Sequence, residues 1–361
     1  MNGFAFDAVG GRVVFGAGAV AEVPKELEAL GVRTAMIIAS GSSRHLADFL
    51  ADQLGDRVSG RIDRVNPHVP LDDVQSARNL VVTSSSQAVV TIGGGSAIGL
   101  GKNIALATPV KHVAIPITYS GSEMTAIHGV TVDGRKRTGR DSRAKPHVVI
   151  YDPELSRALP MEVTAGSAMN AMAHCVEALY AEQRNPLTSL MAMEGLRALH
   201  SGLVEVADDH TAPVGRTSLL FGAFLAGSAL GLVGMAIHHK ICHALGGTFG
   251  VSHGDANAVI LPHAVAANAH SEPDVMAAVA GLLGVPDPAG GLFDLAASVG
   301  APSSLAELGM DENDLDRATD IVMENPGFNP RPVERGWIRQ LLEDAFVGKR
   351  PVAGTYLGGD S

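Results

Sequence analysis

Over the first 150 positions the apolar residues fall into short runs separated by amphipathic stretches. Val13-Val14-Phe15 is a strand running into a glycine turn, and helical spacing follows from Val20 to Leu30. Ala35-Met36-Ile37-Ile38-Ala39 reads as a buried strand, and Arg44 to Leu54 as an amphipathic helix. Gly60 to Val65 is a strand ending in a turn at Asn66-Pro67, with a helix from Leu71 to Thr83. Ala88 to Ile92, His112 to Pro116 and His147 to Tyr151 complete the strands. Gly93-Gly94-Gly95-Ser96 opens a helix through Ala107, and Val130 to Lys136 forms a hairpin about Asp133-Gly134. This β-α-β-α rhythm predicts an α/β domain, residues 1–155, built on a parallel sheet with helices on both faces.

From Glu154 onward the period becomes helical throughout. Segments at Thr164–Ala181, Leu187–Leu203, Arg216–Leu245, Asp274–Leu283, Gly291–Ser298 and Trp337–Phe346 predict an all-α domain over residues 156–361. Leu219 to Ile237 carries no charge and is long enough to imitate a membrane span. It is rich in Gly, Ala and Ser, and a helix apolar all round equally suits the centre of a helical domain, so no membrane partner is expected.

Composition narrows the function classes. A net charge of −11 over 361 residues argues against nucleic acid, which requires a basic footprint. With 46% hydrophobic and 18% charged residues, the chain is globular. Two cysteines, Cys175 and Cys242, make no disulfide framework and point to a reduced, cytoplasmic protein. Met1 to Asp7 lacks the basic and apolar regions of a secretory leader.

Chemistry concentrates between His238 and His263, which hold five of the fourteen histidines. His239 and His243 are four apart and share a helix face. His253 follows a Gly246-Gly247 pair expected to end that helix and turn the chain back. Asn170 and His174 form a second pair at the same spacing. Four convergent groups with room for a substrate oxygen would make a catalytic metal site, but Asn is a neutral, poor ligand, and a polar contact between helices explains the pair as well. In the first domain, Gly93-Gly94-Gly95-Ser96 lies where backbone N–H groups and a helix dipole can hold a pyrophosphate. It is neither the G-x-G-x-x-G fingerprint nor a Walker A loop.

In combination these motifs resemble the iron-containing (group III) alcohol dehydrogenase superfamily. The resemblance is carried by Gly93 to Ser96, Pro116 to Glu123, Tyr151-Asp152-Pro153, the His174 helix and the His239/His243/His253 block, and it spans nearly the whole chain. It implies a dehydroquinate synthase-like architecture, a homodimer, and hydride transfer from NADH or NADPH in a cleft between the two domains. It implies that the cofactor meets Ser40, Asn66, Gly94, Gly95, Ser96, Thr118, Tyr119, Ser122 and Lys145. His243, His253, His239 and His174 become the catalytic candidates, and Asn170, His238, Tyr119 and Lys240 the substrate contacts. Thr118 to Thr125, the Gly99-Leu100-Gly101-Lys102 run, Asn170 to His174 and Asn329 to Val333 most resemble the branch that reduces the C=C bond of an unsaturated oxo-dicarboxylate in the breakdown of aromatic compounds.

Two departures bear on metal chemistry. Asn170 and Gly99 stand where metal-dependent members of the superfamily carry aspartates. Without the anionic ligand, His174, His239 and His253 with Asn170 should bind Fe or Zn much more weakly, so no firm metal site is expected. Reduction of an enone sends hydride to the carbon β to the ketone, and imidazole donors can stabilise the resulting enolate oxygen. Imidazolium or lysine groups would help bind the dianion, and His243, or else His253, would protonate the neighbouring carbon. The competing readings are a metal-dependent alcohol or polyol dehydrogenase and a non-catalytic binding protein on the same scaffold.

Overall fold

The computed structural model describes residues 11–132 and 135–356. Within it one compact unit runs to Leu159 and a second begins at Pro160. The strands are β1 (Arg12–Phe15), β2 (Ala35–Ala39), β3 (Val58–Ile62), β4 (Ala88–Gly93), β5 (Lys111–Pro116), β6 (Ile127–Val132), β7 (Arg135–Arg140) and β8 (Val148–Tyr151). The helices of the first unit are α1 (Val23–Ala29), α2 (Arg44–Leu54), α3 (Leu71–Thr83) and α4 (Gly95–Ala107). Six strands form a parallel sheet in the order β1-β8-β5-β4-β2-β3.

Every residue of β2 and β4 is buried because both faces of the sheet are covered. Alternation along each strand splits the core in two. Ile37, Val90 and Ile115 pack with Leu27 of α1 and Leu50 of α2. Met36, Ile38 and Val89 face Val74 and Val81 of α3 and Leu100 and Ile104 of α4. Each such side chain contributes roughly 1.5–3 kcal/mol of burial, so a one-residue slip of β2 or β4 would exchange the two cores at large cost. Strand β3 lies two to three residues earlier than expected, where it follows β2 across an irregular register at Ala35/Met36. The antiparallel β6–β7 hairpin pairs Val130 with Arg137 and is longer than its sequence signal; the expected turn at Asp133-Gly134 lies outside the described residues.

The connection after β2 leads outward to β3, whereas that after β4 leads the other way to β5. The sheet therefore has a topological switch point between the carboxyl ends of β2 and β4, the place where open α/β sheets receive ligands. Ser40 ends β2 there, and Gly93 to Ser96 carry β4 into α4.

The second unit comprises α5 (Met161–Tyr180), α6 (Pro186–Asp208), α7 (Pro213–Leu232), α8 (Ile237–Phe249), α9 (His253–Asn268), α10 (Pro273–Leu283), α11 (Pro288–Ser298), α12 (Leu315–Glu324) and α13 (Arg335–Phe346). Helix α5 is buried along almost its whole length and packs on α6, α7 and α9. Helix α6 starts from a capping box in which Asn185 and Thr188 satisfy each other's backbone N–H groups. Helices α6 and α7 approach through Gly195, Gly202, Gly215 and Gly222; a Cβ on Gly222 would lie 2.9 Å from the Gly195 carbonyl oxygen.

Three expectations need correction. The run from Arg216 to Leu245 is two helices, broken between Val233 and Ala236. Gly246-Gly247 does not end α8, which continues to Phe249 and stops at Gly250 in the left-handed region (φ 71°). Interior glycines each cost a helix about 1 kcal/mol, which tertiary packing absorbs, whereas the left-handed stop needs a glycine. The chain turning back after that stop forms α9, a helix the sequence pattern did not single out. Among the described residues, Pro213–Leu232 and Pro273–Ser298 have the length and apolarity of a membrane span, and 61% of the apolar window in α7 is buried within the protein.

Candidate active site

At the switch point Gly93 adopts φ 152°, and a Cβ there would lie 2.9 Å from that of Ala97 and 3.1 Å from Ser40 Oγ. Only glycine lets the chain pass. Gly94 caps α4 without a side-chain hydrogen bond, leaving the first-turn N–H groups to a ligand. A Cβ on Gly94 would stand 3.1 Å from Thr118 Cγ2, and one on Gly95 3.6 Å from Ser120 Oγ. Ser40 Oγ is 2.8 Å from Ser43 Oγ, with no carboxylate in that hydrogen bond. The geometry thus gathers Ser40, Gly94, Gly95, Ser96 and Thr118 around one crevice.

Ser122 is held from below. Fully buried Lys102, one turn from Gly99 on α4, donates to Ser122 O (2.5 Å), Ile127 O (2.7 Å) and Thr125 Oγ1 (3.1 Å). Burial lowers the Lys102 pKa to about 7 against the opposing attraction of Glu123. Glu123 is itself raised by burial and accepts the Tyr151 hydroxyl at 2.7 Å. Tyr119 is fully buried, and Asn66 donates to Asp73 at 3.2 Å in the loop after β3. Lys145 precedes β8 and lines a cavity of about 910 Å³ with Arg143, His147 and the end of α4, and its charge is near enough to Lys102 to help lower that group's pKa.

In the second unit the histidines form a continuous chain of rings. His174 stacks on His239 with centroids 4.7 Å apart, and His238 meets His239 edge-on at 4.8 Å. His239 lies 6.3 Å from His243, which stacks on His253 at 5.7 Å. Asn170 sits one turn before His174 on α5, and both are 4% exposed. Lys240 points away from this row, its Cε 2.8 Å from where a Cβ on Gly327 would be.

The sequence reading missed Glu177. This fully buried carboxylate, three residues beyond His174 on α5, accepts His239 Nδ1–H at 2.7 Å and the backbone N–H groups of Ala236 (2.9 Å) and His239 (3.3 Å). Burial would raise its pKa, but the attraction and hydrogen bond of His239 outweigh that and hold it below the ordinary value. A signal was present: between Glu162 and Glu182 it is the one charged residue of α5's apolar run. Burial drives His238 to about 3, with help from His239. His174 is lowered well below its ordinary value by burial and by the surrounding imidazoles. Both are neutral near pH 7, so any cationic attraction for an anion comes from other groups.

The donor set does not fit a resident metal ion. Among the described residues, His174, His239 and His253 do not bring three nitrogens within 4.8 Å of one another. His253 stacks on His243. Among the described residues, the potential ligand atoms lying within 4.8 Å of one another belong to Glu177, His238 and His239, and these are engaged in mutual hydrogen bonds. No carboxylate stands at the Asn170 position.

The two halves of the sequence match family models described as "Iron-containing alcohol dehydrogenase" (residues 10–153) and "Fe-containing alcohol dehydrogenase family, C-terminal" (residues 164–346). The chain belongs to the iron-containing alcohol dehydrogenase family and is an oxidoreductase. Within that family its similarity is to the maleylacetate reductases. It is 45% identical to that of Burkholderia cepacia, covering 97% of this chain and 100% of the relative, and 43% identical to maleylacetate reductase 1 of Rhodococcus opacus, covering 96% and 98%. The crystal structure of maleylacetate reductase from Agrobacterium tumefaciens superposes with a TM-score of 0.93 at 43% identity, covering 97% of this chain and 100% of that one.

Proposed function

We propose that the chain reduces the C=C bond of maleylacetate, and of chloro-substituted forms, to the 3-oxoadipate skeleton at the expense of NADH or NADPH. The observation that carries this reading is the replacement of an anionic ligand by Asn170 beside imidazoles held neutral, His174 among them. A carbonyl that itself accepts hydride needs strong polarisation. An enone does not, because hydride arrives at the β carbon and charge collects on an enolate oxygen that hydrogen-bond donors can stabilise.

In this mechanism Gly94, Gly95 and Ser96 would hold the cofactor pyrophosphate, and a bound nicotinamide would supply the hydride. An N–H of His174, beside His239, meets the developing oxygen, and His243, or else His253, returns a proton to the neighbouring carbon. Residues 1–155 would serve the cofactor and residues 156–361 the substrate. Ser40 places no acid against a 2′-phosphate, which supports use of both nicotinamides. Two buried, free cysteines support a reducing, cytoplasmic setting, and the family resemblance supports a homodimer acting in aromatic catabolism.

The test is NAD(P)H consumption by purified protein with maleylacetate, set beside NAD⁺ reduction with simple alcohols and diols. Oxidation of diols without turnover of maleylacetate would overturn the reading in favour of a polyol dehydrogenase.

A further inference from the structure

We infer that Glu177 is a positioning residue for the reaction, fixing which nitrogen of His239 is left for the substrate. The inference rests on the function proposed above. Its physical basis is a hydrogen-bonded path through three helices. Glu177 on α5 takes Nδ1–H of His239 at 2.7 Å, and His239 Nδ1 also lies 3.3 Å from His238 Nδ1. His238 Nε2 in turn lies 3.3 Å from the carbonyl oxygen of Asn257 in the first turns of α9.

These partners leave one consistent assignment of protons. A carbonyl only accepts, so His238 carries its proton on Nε2. An ionised carboxylate also only accepts, so the proton between Glu177, His239 and His238 belongs to His239 Nδ1. The remaining nitrogen, His239 Nε2, is buried and has no partner, as has His174 Nδ1 beside it. A buried polar atom without a partner calls for one; bare, His239 Nε2 only accepts, so what it meets in the bound complex is an O–H or N–H donor of the substrate or of a water, not the developing enolate oxygen.

Glu177 does a second job in the same place. Helix α8 begins at Ile237, and its N-cap, Ala236, offers no side chain to the orphaned N–H groups. Glu177 accepts two backbone N–H groups at that end, those of Ala236 and His239. One carboxylate thereby ties ring orientation to helix orientation. His239 cannot rotate without breaking its bond to the carboxylate that also seats α8.

The experiment is nitrogen-15 NMR of histidine-labelled protein together with steady-state kinetics of Glu177→Leu and Glu177→Gln. In the unaltered protein, the His239 proton should reside on Nδ1. Glu177→Leu should lose that signature and lower kcat/KM for maleylacetate by about 10–100-fold, with the KM for NADPH unchanged. Glu177→Gln can still accept both Ala236 N–H and His239 Nδ1–H through its amide oxygen, so it should keep the signature and recover most of the activity. A bare Nδ1 in the unaltered protein would overturn the inference, whether or not the leucine variant folds. So would a glutamine variant as impaired as the leucine variant, or full activity in Glu177→Leu. The NMR signature needs no substrate, so it is read even if maleylacetate is not turned over, and failure of the functional reading is seen separately.

Discussion

Ser40 and Gly93 face each other across the carboxyl ends of β2 and β4, so closely that a Cβ on Gly93 would lie 3.1 Å from Ser40 Oγ. The contact sets the width of the crevice and, under the proposed function, Ser40 is the group that a cofactor ribose would meet. Two predictions concern these residues.

Gly93→Ala forces a side chain into φ 152° and to 2.9 Å from Ala97 Cβ. We expect a destabilisation of about 1–3 kcal/mol and a several-fold higher KM for the nicotinamide. Thermal unfolding and cofactor titration check both. A variant with unchanged KM would mean that the pyrophosphate is held elsewhere.

Ser40→Asp puts a carboxylate where a 2′-phosphate would lie. The ratio of kcat/KM for NADH over NADPH should rise by about tenfold or more, which corresponds to about 1.4 kcal/mol of discrimination. An unchanged ratio would remove Ser40 from the ribose.

Activity should survive exhaustive chelation, because among the described residues three imidazole nitrogens do not converge and their neighbour is an amide. Metal analysis of the purified protein, with assays before and after chelator, tests this. Activity lost to chelator and restored by iron or zinc would refute it.

Acid should unfold the first unit from within. His112 on β5 is fully buried between Thr91 of β4 and Gly101 of α4, and burial, with nearby Lys102 and His147, lowers its pKa to about 3. Unfolded, the same imidazole takes its proton near pH 6.5. Between those values the unfolded chain binds more protons, so stability falls as pH drops below about 6.5, with a slope approaching 1.4 kcal/mol per pH unit from this residue alone. Above that pH the contribution is constant. Denaturant unfolding from pH 8 to pH 4, with His112→Gln as comparison, should show a shallower acid loss in the variant.

Much of the first unit was legible because a strand covered on both faces is an unbroken apolar run: Ala35–Ala39 and Ala88–Ile92 stood out, as did α2 and α3, which match their periodic segments residue for residue. The second unit was harder for the opposite reason. Ala256 to Asn268 of α9 is buried on every side, so no polar face marks its period. The break between α7 and α8 passes through Val233 to Ala236, which are uncharged like the end of α7 before them. At the site, spacing located His174, His239, His243 and His253, but it could not show that His174 and His239 stack. Nor could it show that Lys145 shares a cavity with the end of α4, since those relations depend on tertiary packing. Glu177 was visible as a charge out of place, and its partner on another helix was not.

Asn170, His174 and Glu177 occupy one stripe of α5, separated by four and then three residues, with the helix buried around them. The three side chains therefore move as one rigid body. A packing change at either end of α5, even one far from any histidine, would translate all of them together and misalign the site without altering a single group in it. Substitutions along the stripe should then be strongly non-additive, and adapting this scaffold to a new substrate is better begun on α8 and α9 than on α5.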